Sequence, residues 1–221
     1  MCGICVLLGL EHDDNKVEER KRIIRLSQRL RHRGPDWSGV EVQDKAILAH
    51  ERLAIIDPES GHQPLLDDTK ELVLCVNGEI YNYKQLRAEF PDYPFRTGSD
   101  CEVILPLYKK YKTEFANKLE GMFAFVLSNN NGEFMICRDP IGVIPLYIGW
   151  DEFGHIWVAS EMKAICDVCT RIEIFPPGHL MTDKSSKFVR YYQPLWRTIL
   201  PHEQLDLVVL REVWVALSID S

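Results

Sequence analysis

Cysteine stands at position 2, directly after Met1. Its small side chain permits removal of Met1, and the thiol then shares its residue with a free α-amine whose pKa of about 8 lies close to the thiol's own, about 8.5. Nucleophile and base on one residue is the logic of N-terminal-nucleophile catalysis. The same cysteine also reads as a packing residue of a first strand, or as an acylation site, although no polybasic run stands beside it. Further along, Asn77-Gly78 is the dipeptide of a tight hairpin turn. Read chemically, an asparagine amide and a glycine backbone N–H converge on one oxygen as an oxyanion hole, and glycine lets a substrate come close to the backbone. Arg52 offers a planar fork for a substrate carboxylate, or half of a surface ion pair. Asp100 either complements a helix dipole or binds a substrate ammonium. Spacing alone does not choose between the members of these pairs.

Positioning such groups takes a folded scaffold, and the chain patterns as one. Residues 17–31 have helical apolar spacing and must stop at Gly34-Pro35, which makes residues 32–39 a loop. Short apolar runs at 46–49, 53–56 and 72–76, bounded by turn residues, predict strands. Residues 83–90 read as a short helix. Ser99 with Glu102 three residues later is a capping box opening a helix that runs toward Leu119, and Pro106 should bend its second turn. Residues 122–127 and 134–137 around Asn130-Asn131-Gly132 form a hairpin, and strands follow at 146–149, 156–159 and 187–192. Helices early and antiparallel strands later indicate an α+β layered fold. The composition shifts after Trp196, so a domain over 1–196 and a tail over 197–221 are expected. The tail is apolar-rich at 205–217.

The chain has 221 residues, of which 46% are hydrophobic and 27% charged, enough for a proper core. A formal net charge of −7 argues against a nucleic-acid surface. The basic run Lys21, Arg22, Arg25, Arg29, Arg31 and Arg33 reads as a solvated helix face. Seven cysteines with no signal peptide read as reduced thiols of a cytoplasmic protein, and the lone Cys166-x-x-Cys169 as two buried core thiols, since zinc needs four ligands. No run approaches a membrane span.

Quoted in order, Met1-Cys-Gly-Ile, Arg31-His-Arg-Gly-Pro-Asp-Trp-Ser-Gly39, His50-Glu-Arg-Leu-Ala-Ile-Ile56, Asn77-Gly-Glu-Ile-Tyr-Asn82 and Gly98-Ser-Asp100 closely resemble the glutaminase domain of glutamine-hydrolysing asparagine synthetase. Gly121-Met-Phe-Ala-Phe125, Arg138-Asp-Pro-Ile-Gly142 and Ala159-Ser-Glu-Met-Lys163 extend the resemblance, which covers residues 1–196 and departs after Trp196. It implies a class II glutamine amidotransferase with an N-terminal-nucleophile, four-layer αββα sandwich of two antiparallel sheets. By that resemblance Cys2 is the nucleophile, Asn77 and Gly78 form the oxyanion hole, and Arg52 holds the glutamine carboxylate. Glu79 and Asp100 then surround the amino end, and backbone near Ile55 and Ile56 completes the pocket. This half reaction calls for no metal or cofactor. ATP and Mg belong to a synthetase domain whose Ser-Gly-Gly-x-Asp-Ser loop is absent here, so this chain alone is not expected to make asparagine. Pro35-Asp36 favours the asparagine synthetase branch over other class II amidotransferases. Glutamine is the implied substrate and a synthetase domain or separate subunit the implied partner. A homodimer and an inactive binding or regulatory remnant stay open.

Overall fold

The computed structural model describes residues 1–194 except Pro58. The expected boundary near 196 and the tail 197–221 lie outside the described residues. Strand β1 (Gly3–Leu8) leads into helix α1 (Lys16–Ser27), whose N-cap Asn15 accepts a hydrogen bond from the backbone N–H of Glu18. After β2 (Trp37–Val42), β3 (Ala46–Arg52) and the two-residue β4 (Leu65–Leu66), the nine-residue β5 (Leu72–Ile80) runs into α2 (Tyr83–Ala88). Helix α3 (Ile104–Tyr111) separates these from a run of strands: β6 (Gly121–Asn129), β7 (Phe134–Arg138), β8 (Tyr147–Trp150), β9 (Ile156–Ala159), β10 (Arg171–Ile174), β11 (His179–Thr182) and β12 (Ser185–Arg190).

The strands form two six-stranded antiparallel sheets, ordered β10-β8-β9-β1-β3-β2 and β12-β11-β7-β6-β5-β4. Side-chain alternation divides each strand between two apolar layers. In β1, Ile4, Val6 and Leu8 pack between the sheets against Val73, Cys75, Ala124 and Val126, while Cys5 and Leu7 turn outward to Ile23 and Leu26 of α1. On the far side of the second sheet, Leu74, Val76, Phe123 and Phe125 pack against Leu86, Leu105 and Leu107 of α2 and α3. Helices therefore cover both outer faces, and the architecture is the α+β sandwich of four layers that the motifs implied.

Several local expectations change. Residues 53–56 are not a strand: β3 is continuous from Ala46 to Arg52 and the chain leaves the sheet at Leu53. The expected loop 32–39 already pairs from Trp37, because Trp37 to Val42 lie opposite Arg52 to Ile47. The helix after Ser99 opens with a 3-10 turn over Asp100–Val103. Ser99 caps the Cys101 N–H at 3.3 Å, but Glu102 does not close the box; its carboxylate accepts from the N–H groups of Arg96 (2.7 Å) and Thr97 (2.8 Å). Pro106 then falls in the first turn of α3, where its missing N–H costs no helical bond. Cys166 is exposed and Cys169 only half-buried, so the two are not core thiols.

Candidate active site

Strand parity places the candidate residues before any side chain is considered. Cys2 continues the inward series of Ile4, Val6 and Leu8; Arg52 continues Ala46, Leu48 and His50; Asn77 continues Val73 and Cys75. At one end of the sandwich the inter-sheet layer thus changes from apolar packing to chemistry. Cys2, Arg52, Asn77, Gly78, Glu79 and Asp100 all line one cavity of about 50 Å³ there, and Ile55, Ile56 and Met1 also border it. All eight residues singled out from the sequence are brought together.

The Cys2 sulfur accepts from the Leu53 N–H at 3.4 Å and lies 3.6 Å from the Leu53 carbonyl. Burial pushes its thiol above the usual cysteine range, opposed by the Leu53 N–H and by the positive N-terminus, Arg52 and Arg33. The Cys2 carbonyl accepts from Arg33 Nε at 2.9 Å, and Arg33 Nη1 bonds Glu161 Oε1 at 2.8 Å. Glu161 also receives His32 (2.9 Å) and Lys163 (3.0 Å). Burial would raise that carboxyl, but these cationic partners win and hold it at about 2. Arg33 is therefore not part of a solvated basic face: it clamps the Cys2 backbone carbonyl.

Asn77 and Gly78 sit inside β5, opposite Ala124 and Phe123 of β6, so the hairpin-turn reading of this dipeptide is corrected: ladder pairing with β6 overrides it. The Asn77 side chain is 1% exposed, and neither its Oδ1 nor its Nδ2 has a hydrogen-bond partner. Orphaned buried amides are rare in folded proteins. Gly78 has φ 147°, and a Cβ there would lie 2.1 Å from the Met122 carbonyl oxygen, so only glycine fits.

Arg52 is buried, and its Nη2 donates to the carbonyls of Ile56 (3.1 Å) and Asp57 (2.5 Å), which folds the 53–57 segment over the cavity. Asp57 in turn accepts from the Gly98 N–H at 2.7 Å, tying that segment to the turn before Asp100. Asp100 accepts from the Ile80 N–H at 2.7 Å, yet burial outweighs this and raises its carboxyl. Arginine and a buried aspartate on one small cavity suit a zwitterion with a carboxylate and an ammonium. Arg33, read from the sequence only as part of a basic run, and Glu161, His50 and Gln63 were not singled out as site residues. The first three lie inside the quoted motif runs, which was their only signal.

The first 178 residues match the model of the glutamine amidotransferase domain. The chain belongs to the glutamine amidotransferase domain family. Among curated relatives, asparagine synthetase [glutamine-hydrolyzing] 3 of Arabidopsis thaliana is 50% identical over 216 residues, 97% of this chain and 37% of that protein. The asparagine synthetase [glutamine-hydrolyzing] of Zea mays is 49% identical over the same length, 36% of that protein. This chain thus spans little more than a third of such relatives. Because the alignments reach 97% of the chain, the likeness continues beyond Trp196, where the motif resemblance was expected to depart. Among solved structures, glutamine phosphoribosylpyrophosphate amidotransferase from B. subtilis superposes with a TM-score of 0.71 at 25% identity, over 87% of this chain and 50% of that one. An allosteric regulatory enzyme of purine biosynthesis superposes at 0.73 with 24% identity, which speaks for the fold. Among the described residues no helix is long and apolar enough to cross a membrane.

Proposed function

We propose that this domain hydrolyses the side-chain amide of glutamine to glutamate and ammonia, with Cys2 as the nucleophile once Met1 has been removed. While Met1 is attached, the Cys2 nitrogen is a peptide N–H and has no basicity. After removal, the α-amine takes the thiol proton, directly or through water, and the thiolate attacks the glutamine side-chain carbonyl. The carbonyl electron pair moves onto oxygen, where Asn77 Nδ2 and the Gly78 N–H receive it. Collapse of the tetrahedral adduct breaks the C–N bond, the protonated amine supplies the proton for departing ammonia, and water then cleaves the γ-glutamyl thioester. Arg52 pairs with the substrate α-carboxylate, Asp100 and Glu79 with its α-ammonium, and the backbone near Ile55 and Ile56 closes the pocket. The observation that carries this reading is the unpartnered Asn77 amide on the same cavity as the Cys2 sulfur.

The likeness to asparagine synthetases supports a wider role: the ammonia serves an ATP- and Mg-dependent condensation with aspartate, carried out in the cytoplasm by the portion of such proteins that this chain does not span. The hydrolysis itself calls for no metal or cofactor. The test is intact-protein mass together with ammonia release from glutamine, on untagged protein and on Cys2→Ala. Release that requires both loss of Met1 and the thiol supports the proposal. Equal release from Cys2→Ala, or from protein retaining Met1, refutes it.

A further inference from the structure

His50 is fully buried and belongs to β3, yet its Nε2 reaches across to the other sheet and donates to the Val76 carbonyl of β5 at 3.0 Å. Burial pulls the imidazole down to about 4, so near neutral pH it is the uncharged ring with one N–H. That proton is committed to Val76, which fixes the tautomer and leaves Nδ1 buried without a partner. The Val76 N–H is held as well: Gln63 Oε1 accepts it at 2.7 Å. Both side chains act where β4 has run out, since its pairing with β5 covers only Leu65 and Leu66 opposite Leu74 and Val73. Pro64, the next residue back, has no N–H to continue the ladder. His50 lies opposite Ile4 in the sheet that carries Cys2, and Val76 immediately precedes Asn77 in the other.

The two halves of the reaction centre therefore sit on different sheets, separated by a layer of apolar side chains. From this we infer that His50, assisted by Gln63, is a positioning residue that locks the Val76 peptide to β3 and so sets the distance between the Cys2 sulfur and the oxyanion donors Asn77 and Gly78. The thiol of Cys75, 3.9 Å from the Ala49 carbonyl, is too weak a donor to replace it. A shift of about 1 Å in such an arrangement costs on the order of 100-fold in rate.

The inference rests on the glutaminase reading, and the test separates the two. His50→Leu keeps the volume and removes the donor; His50→Gln keeps an N–H that reaches the Nε2 position. In His50→Leu, kcat should fall about 10- to 100-fold with KM within about threefold. Affinity for the γ-aldehyde analogue of glutamine, which forms a tetrahedral hemithioacetal on Cys2, should fall by the same factor, while alkylation of Cys2 by iodoacetamide stays within about twofold. His50→Gln should recover most of both losses, and amide hydrogen exchange over residues 75–80 should rise in His50→Leu alone. Should His50→Leu fail to fold, Gln63→Met removes the second hold on Val76 and should show the same split in milder form. Unchanged kcat, aldehyde affinity and exchange in the folded variant, or equal losses in His50→Leu and His50→Gln, would overturn the inference. A wild type that releases no ammonia defeats the glutaminase reading instead, and hydrogen exchange still judges the tether.

Discussion

Replacing Asn77 by leucine should make the protein more stable and close to inactive. Leucine has the same branching as asparagine, so the 1%-exposed site keeps its packing while losing two polar atoms that have no partner in the folded chain. Each buried, unsatisfied polar atom costs about 1–3 kcal/mol. Water entering the cavity of about 50 Å³ recovers part of that cost, so a gain of about 1–2 kcal/mol is expected. For a chain of this length that corresponds to a rise in Tm of about 2–8 °C. The same substitution removes the proposed oxyanion donor, and loss of such a donor typically costs about 100- to 1000-fold in kcat. Thermal unfolding and ammonia release from glutamine, measured on one preparation, read both. A lower Tm with turnover retained would show that the amide is already satisfied in the folded protein and does not serve the transition state, and the reasoning would fail on both counts.

Gly78→Ala should lower Tm by several degrees and abolish turnover, because its Cβ would lie 2.1 Å from the Met122 oxygen and 2.6 Å from the Phe123 Cα at φ 147°; calorimetry checks the first effect and ammonia release the second. Glu161 is held at about 2 against an ordinary 4.5, so its contribution is full above pH 4.5 and is lost as pH falls through about 2. Acid unfolding of Glu161→Gln should therefore depend less steeply on pH across that window than the wild type, and removing the Glu161 contact on Arg33 should also lower kcat. Asp100 has the opposite sign: burial raises its folded carboxyl, so folding loses stability as pH climbs from the ordinary carboxylate value through the raised one. Asp100→Asn should gain stability at neutral pH while KM for glutamine rises, measured by denaturant unfolding and steady-state kinetics.

The legible part of this site was carried by motif runs, and the illegible part by contacts between distant positions. Asn77-Gly78 shows why local statistics mislead: the dipeptide prefers a turn in isolation, but β5 pairs with β6 continuously from Leu72 opposite Asn129 to Ile80 opposite Gly121, and that ladder decides. Residues 53–56 fail in the opposite way. Their apolar run looks like a strand, yet Arg52 holds the carbonyls of Ile56 and Asp57 and bends the segment over the cavity. Arg33 and Glu161 meet across 128 positions of sequence, and His50 and Val76 across 26. No window-based reading sees such pairs; the sequence showed β3 and β5 only as short continuous apolar runs, because both faces of these strands are buried, and their alternation between two layers emerges in the fold.

That alternation also explains why the site needs its auxiliary groups. A cavity made by extending the inward positions of three strands inherits the rigidity of the inter-sheet core, which is what oxyanion geometry requires. It inherits the core's poor solvation as well. Burial raises both the Cys2 thiol and the Asp100 carboxyl, the reverse of what a thiolate nucleophile and an ammonium-binding carboxylate need. Arg52 and Arg33 oppose the rise at Cys2, and the ammonium of bound substrate would do the same at Asp100. On the proposed reading, substrate would complete the electrostatics of this pocket: its carboxylate would meet Arg52, its ammonium Asp100, and its developing oxyanion the Asn77 amide, which has no hydrogen-bond partner among the described residues.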